Sequence, residues 1–250
     1  MKVTYLGHSG FMVELHDSCL VFDYYRGELP HNCQDLKSKN WYVFSSHSHG
    51  DHFNPKIIEL MCGYDNVTYV FSKDIERKLK SYKELVAGKS ICYMRRDEEI
   101  RLNDIEIKTF HSTDKGVAFL VKAEGQLIYH AGDLNWWHWE GESAQYNNDM
   151  AARYKREVGK IKESVEDRGG ILDVAFVPLD PRLLSAYYMG MKYFLENVKV
   201  QKLFPMHFWD EPKVQDKFLV EYQDVIVKNE CEFCKLTCDG EVLDFGGSYG

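Results

Sequence analysis

The stretch Ser45-Ser46-His47-Ser48-His49-Gly50-Asp51-His52-Phe53 constrains this chain more than any other. It follows Trp41-Tyr42-Val43-Phe44, an aromatic and β-branched run with the pattern of a buried strand. It precedes Asn54-Pro55, an N-cap residue and a proline suited to the first helical position, so a strand-to-helix loop is predicted. His47, His49 and Asp51 alternate, and extended backbone places alternate side chains on one side. Gly50 lets the chain bend, so His52 can be aimed at the same space. Three imidazoles and a carboxylate this close together form a donor set for a borderline cation such as Zn²⁺, Mn²⁺ or Fe²⁺. A solvated, histidine-rich loop accounts for the composition but not for the strand and helix on either side.

His-x-His-x-Asp-His at the end of a strand resembles the signature of the metallo-β-lactamase-fold hydrolases, most of which use two metals. The turn Gly7-His8-Ser9-Gly10 resembles a motif of one branch of that superfamily, the ascorbate-6-phosphate lactonase-like proteins. The resemblance implies an α/β fold: a four-layer αββα sandwich of two mixed β-sheets with helices on both outer faces. The strand and helix pattern alone says only that α and β are mixed. It also implies three further ligands, and His111, Asp133 and His207 each follow a strand-like run. By the family's pattern His47, His49 and His111 hold one ion, Asp51, His52 and His207 hold the other, and Asp133 bridges them. Taken singly, His111 reads as a hydrogen-bonded histidine, Asp133 as a turn or cap residue, and His207 as a buried imidazole.

The chemistry that follows from the resemblance is hydrolysis. Two divalent transition-metal ions, zinc first and manganese or iron as alternatives, activate a shared hydroxide that attacks a carbonyl carbon or phosphorus. Asp51 orients that hydroxide or carries its proton, in addition to ligating. An ester, lactone or phosphodiester in a small anionic molecule is the expected substrate. The alternatives are a nuclease or phosphodiesterase acting on RNA or DNA, and a metal-binding oxidoreductase of the same fold.

Composition narrows the partners. The 250 residues carry 31 basic and 39 acidic side chains, a net charge of −8, which argues against a nucleic-acid backbone as the main partner. No apolar run approaches a membrane-spanning length, and Met1-Lys2-Val3-Thr4-Tyr5 enters a strand pattern directly. Seven cysteines, an odd number, read as reduced thiols of a cytoplasmic protein. Cys231, Cys234 and Cys238 lack an obvious fourth ligand and are expected to hold no metal. No linker or repeat divides the chain, so a single domain over 1–250 is expected; assembly into a homo-oligomer is left open.

Two loops are candidates for substrate contact. Asp133 to Trp139 carries Trp136 and Trp137, which read either as a pocket wall or as anchors of the following helix. Leu179 to Tyr188 carries Arg182 and Tyr187; Arg182 reads as an anchor for an anion or as the ion-pair partner of Asp180. His8 reads as a residue of the site's rim or as part of a turn. His16, His31, His130 and His138 are better explained structurally. Helices are expected to be capped by Ser72 and Ser185, and one further helix is expected over 214–227.

Overall fold

A computed structural model describes residues 1–29, 34–64 and 66–246. His31, expected to have a structural role, lies outside the described residues, as does Cys33. Contacts divide the chain into two compact units, Met1–Arg95 with the segment from Thr237 onward, and Arg96–Leu236. Each is built on a mixed sheet of seven strands among the described residues.

The first unit contains β1 (Lys2–Gly7), β2 (Gly10–Glu14), β3 (Ser18–Phe22), β4 (Asn40–Ser45), β5 (Val67–Ser72), β6 (Ser90–Met94) and the late strand β14 (Val242–Asp244). Their order is β14-β1-β2-β3-β4-β5-β6. The pairs from β14 to β3 are antiparallel, and those from β3 to β6 are parallel. Short helices α1 (Gln34–Lys37), α2 (Lys56–Leu60), α3 (Ile75–Leu79) and α4 (Lys83–Val86) lie on the connections between the parallel strands. Trp41, Val43, Tyr69 and Phe71 from one sheet face pack with Ile57, Ile58, Met61, Ile75 and Leu79 of the helical segments. Each such buried side chain contributes about 1.5–3 kcal/mol relative to exposure.

The second unit contains β7 (Glu99–Leu102), β8 (Ile105–His111), β9 (Val117–Ala123), β10 (Gln126–His130), β11 (Leu172–Pro178), β12 (Val200–Met206) and β13 (Glu232–Phe233). The pairs from β7 to β10 are antiparallel and those from β10 to β13 are parallel. Its helices are α5 (Ala144–Glu166), α6 (Met189–Asn197), α7 (Lys213–Glu221) and α8 (Gln223–Asn229). Met150, Tyr154, Val158, Ile161 and Val165 of α5 recur at helical spacing and are buried, and Ser143 caps its start by accepting Tyr146 N–H. The expected α/β class with two mixed sheets is the class observed. No helix among the described residues is long and apolar enough to cross a membrane.

Three local expectations need correction. Ser72 does not cap a helix; it ends β5 in register with Met94, and α3 starts at Ile75. Ser185 lies inside a 3-10 turn, Pro181–Ala186, that Leu184 breaks at φ 52°, and its hydroxyl donates to Glu140 Oε1 at 2.6 Å. The helix over 214–227 breaks at Tyr222 (φ −131°), whose ring stacks on Tyr188 at 4.3 Å, so a tertiary contact overrides the local period.

Candidate metal-ligating residues

In both units most of the candidate residues sit just beyond the C-terminal ends of parallel strands, where α/β sheets place their ligands; His8 instead lies in the turn between antiparallel β1 and β2, and His111 ends β8, which is paired antiparallel. In the first unit Asp23 follows β3, His47 to His52 follow β4, and Asp74 follows β5. In the second unit Asp133 follows β10, Asp180 follows β11, and His207 follows β12.

The first unit brings four imidazoles together. Ring centroids of His47 lie 4.6 Å from His49 and 4.1 Å from His52, and His8 lies 5.4 Å from His52. His8, Asp51 and His52 each offer a ligand atom within 4.8 Å of the others, and so do His47 and His49 between themselves. His8 Nε2 is 3.3 Å from Asp51 Oδ2, and His52 Nε2 is 3.9 Å from the same oxygen. Burial raises the Asp51 pKa, but the His8 hydrogen bond and the nearby His52 and His8 charges outweigh it and hold the carboxyl well below its ordinary value.

A carboxylate not foreseen from the sequence organises this cluster. Asp23, fully buried, accepts Ser46 N–H at 2.6 Å, Ser46 Oγ–H at 2.6 Å and His52 Nδ1–H at 2.7 Å. Ser46 Oγ in turn stands 3.0 Å from His47 Nδ1. Asp23 and His8 both have positive φ, 43° and 55°, strain of the kind that persists where surrounding contacts over-determine a site.

The second unit repeats the device. His207, at φ 63° and 2% exposed, gives its Nδ1–H to fully buried Asp180 at 2.9 Å. Its Nε2 lies 3.3 Å from Asp133 Oδ1. The Asp133 backbone carbonyl accepts Trp137 Nε1–H at 2.9 Å, so Trp137 braces the loop that carries this carboxylate. Arg182 forks onto Asp180, with Nε 3.0 Å from both carboxylate oxygens and Nη2 2.5 Å from Oδ2. Its guanidinium also lies 4.6 Å over the Trp209 ring. Burial raises the Asp180 pKa, and its bonds to His207 and Arg182 more than reverse this.

The remaining candidates are placed as follows. His111 ends β8, and its ring nitrogens lie 3.4 and 3.2 Å from Arg96 Nη1; burial and that cation lower its pKa. Asp114, rather than the His111 ring, offers a carboxylate within 4.8 Å of the Asp133 carboxylate. Trp136 is half-buried under Lys155, 4.6 Å from its ring centre. Tyr187 is buried and donates to Glu221 at 2.7 Å. His130 is buried, with its Nδ1 accepting Gly132 N–H. Cys231 and Cys234 belong to the second unit and Cys238 to the first.

These donor sets fit a metal. An imidazole whose Nδ1–H is committed to a carboxylate presents the lone pair of Nε2. When these imidazoles are neutral, the His52 lone pair faces Asp51 and that of His207 faces Asp133, so acceptor meets acceptor. A cation between them resolves the conflict. Two donors on one ion with bonds of about 2.0–2.1 Å stand about 3.0–3.4 Å apart; His207 and Asp133, at 3.3 Å, match this, and His52 and Asp51, at 3.9 Å, stand somewhat wider.

Residues 2–145 match the model of the beta-lactamase superfamily domain, and the chain belongs to that superfamily. It is 29% identical over 227 residues to a UPF0173 metal-dependent hydrolase of Opitutus terrae, covering 86% of this chain and 88% of the relative. The structure resembles Igni18, a metallo hydrolase of Ignicoccus hospitalis, with TM-score 0.66 and 18% identity, covering 98% and 99% of the two chains. It also resembles CmlA, a diiron β-hydroxylase of Streptomyces venezuelae, with TM-score 0.61 and 11% identity, covering 97% of this chain and 53% of that one. These likenesses show the shared fold, and the chain is a metal-dependent hydrolase.

Proposed function

We propose that this chain binds two divalent transition-metal ions, zinc foremost, and hydrolyses an ester, lactone or phosphodiester in a small anionic molecule. The observation that supports it best is the pair of buried carboxylate–imidazole contacts, Asp23 to His52 and Asp180 to His207. Each fixes one tautomer and leaves Nε2 as the coordinating nitrogen. The proposed ligands are His47, His49, Asp51, His52, Asp133 and His207, with Asp114 beside Asp133. A bound dication supplies Lewis acidity and lowers the pKa of water to about 7. Asp51, held ionised, accepts hydrogen bonds or a proton at Oδ2 rather than donating one. Arg182 neutralises Asp180 and so limits how much negative charge His207 feels. A cytoplasmic location is part of the proposal, and it is supported by the described cysteines being thiols rather than disulfides.

Elemental analysis of protein purified without chelators, followed by assay on lactones, phosphodiesters, thioesters and single-stranded RNA, tests this reading. Close to two ions per chain are expected, with hydrolysis of a small substrate lost to chelation and restored by metal. One ion at full reconstitution overturns the dinuclear part. Turnover of RNA alone favours the nuclease instead.

A further inference from the structure

We propose that Asp74 and Lys78 are positioning residues that set the spacing of His47 and His49, an inference that rests on those histidines being metal ligands. The paired register of β4 with β5 ends at Ser45 opposite Phe71, so both imidazoles lie beyond the last rung of the ladder. Side chains replace that ladder. Ser46 N–H goes to Asp23 Oδ1 at 2.6 Å, and Ser48 N–H goes to Asp74 Oδ2 at 2.9 Å. The Ser48 carbonyl accepts Lys78 Nζ–H at 3.0 Å. The single residue separating the two imidazoles is thus held at both its N–H and its C=O.

Both grips come from one short element. Asp74 sits at the N-terminal boundary of α3 and Lys78 one turn later, and residues four apart share a helix face. That helix is anchored by fully buried Ile75 and by Leu79, 3% exposed, so the face presented to Ser48 is set by packing in the core of the first unit. Lys78 reaches further: its Nζ is 3.4 Å from the Phe53 carbonyl and 5.3 Å over the Phe53 ring. One ammonium therefore ties both ends of the turn through Gly50 that separates His49 from His52. A carboxylate on an N–H and an ammonium on a C=O are charge-assisted bonds, roughly twice as strong as neutral ones. Bonds of this kind restrain the peptide planes flanking Ser48. Those planes decide whether two alternate imidazoles converge on one point. Partners that orient metal ligands in this way typically change metal affinity about 10–100-fold when removed.

The test measures Co²⁺ affinity of the full-length chain by chelator competition, together with the visible spectrum of the Co²⁺-saturated protein. Asp74→Ala and Lys78→Met are each expected to weaken binding about tenfold or more and to shift the ligand-field bands. Asp74→Asn, which keeps an acceptor for Ser48 N–H, is expected to restore most of the affinity. The double variant is expected to lose less than the product of the single losses, because both residues act on the same peptide segment. Melting of the metal-free proteins shows that the variants fold, and Asp74→Leu and Lys78→Leu, which keep bulk without the charged hydrogen bond, serve in the same way if Asp74→Ala or Lys78→Met does not. Unchanged affinity and spectrum in folded variants that lack the Asp74 or Lys78 hydrogen bond, with only a lowered melting temperature, overturns the positioning role while leaving the ligand assignment intact. A wild-type chain that binds no Co²⁺ overturns both.

Discussion

Asp23 and Asp180 are buried acids with the same task, each at the end of a parallel strand and each fixing the tautomer of a histidine far along the chain. The partners are 29 residues apart in one case and 27 in the other. That distance explains why neither partnership was legible in the sequence. The His47 to His52 motif was legible because donor type and spacing are local properties. Arg182 illustrates a choice that sequence left open between substrate anchor and ion pair: its fork is occupied by Asp180. Trp137 likewise braces the Asp133 carbonyl. The third imidazole of the family pattern is the point where geometry and motif diverge. His111 faces the Arg96 cation, and a dication at the same nitrogen would add repulsion. Asp114→Ala is therefore expected to release more metal than His111→Ala, measured as ions retained per chain after gel filtration. The opposite order would return the role to His111.

At the scale of elements, the strand foreseen at Trp41 to Phe44 is observed over Asn40–Ser45, since a continuous apolar run marks a buried strand directly. Helix starts were read less well. Ser72 and Ser185 are good cap residues by type, but parallel pairing claims the first and a Glu140 contact claims the second. Close approaches between elements are invisible in a single sequence altogether. The clearest is α6 against the loop after β10: a Cβ on Gly190 would stand 1.8 Å from Asn135 Oδ1. Tyr154 of α5 donates to the Gly190 carbonyl at 2.9 Å, which keeps the helix from shifting away. Gly190→Ala is expected to cost about 1–3 kcal/mol in urea unfolding through overpacking, with activity falling further because Asn135 lies two residues from Asp133. Stability within a few tenths of wild type would show that the loop yields freely.

For the whole molecule, the one-domain reading over 1–250 stays a proposal, supported by how the first unit is assembled from both ends of the sequence. Its edge strand β14 pairs with β1 through Lys2–Asp244, Val3–Leu243 and Thr4–Val242. Glu241 and Gly240 extend the contact: Tyr5 N–H donates to Glu241 O, and Gly240 N–H donates to Tyr5 O. Arg26 joins Asp239 at 2.7 Å across Gly7, whose φ of 98° a side chain would strain. Ending the chain before Thr237 removes all of these and leaves β1 as an open edge, a template for pairing between copies. The shortened protein is expected to melt several degrees lower and to self-associate in light scattering. Equal melting and a clean monodisperse signal would show β14 to be dispensable.

That edge strand also sets an order in time. A ribosome delivers β1 first and β14 only after the residues that make the second unit. At about 5–20 residues per second, β1 waits roughly 7–30 s between the emergence of β6 and that of its last partner. The second unit, continuous in sequence, has all its strands before the first is complete. The nascent chain therefore carries an unsealed sheet edge while the whole second unit is being made, and chaperone demand should fall there rather than on the unit made later.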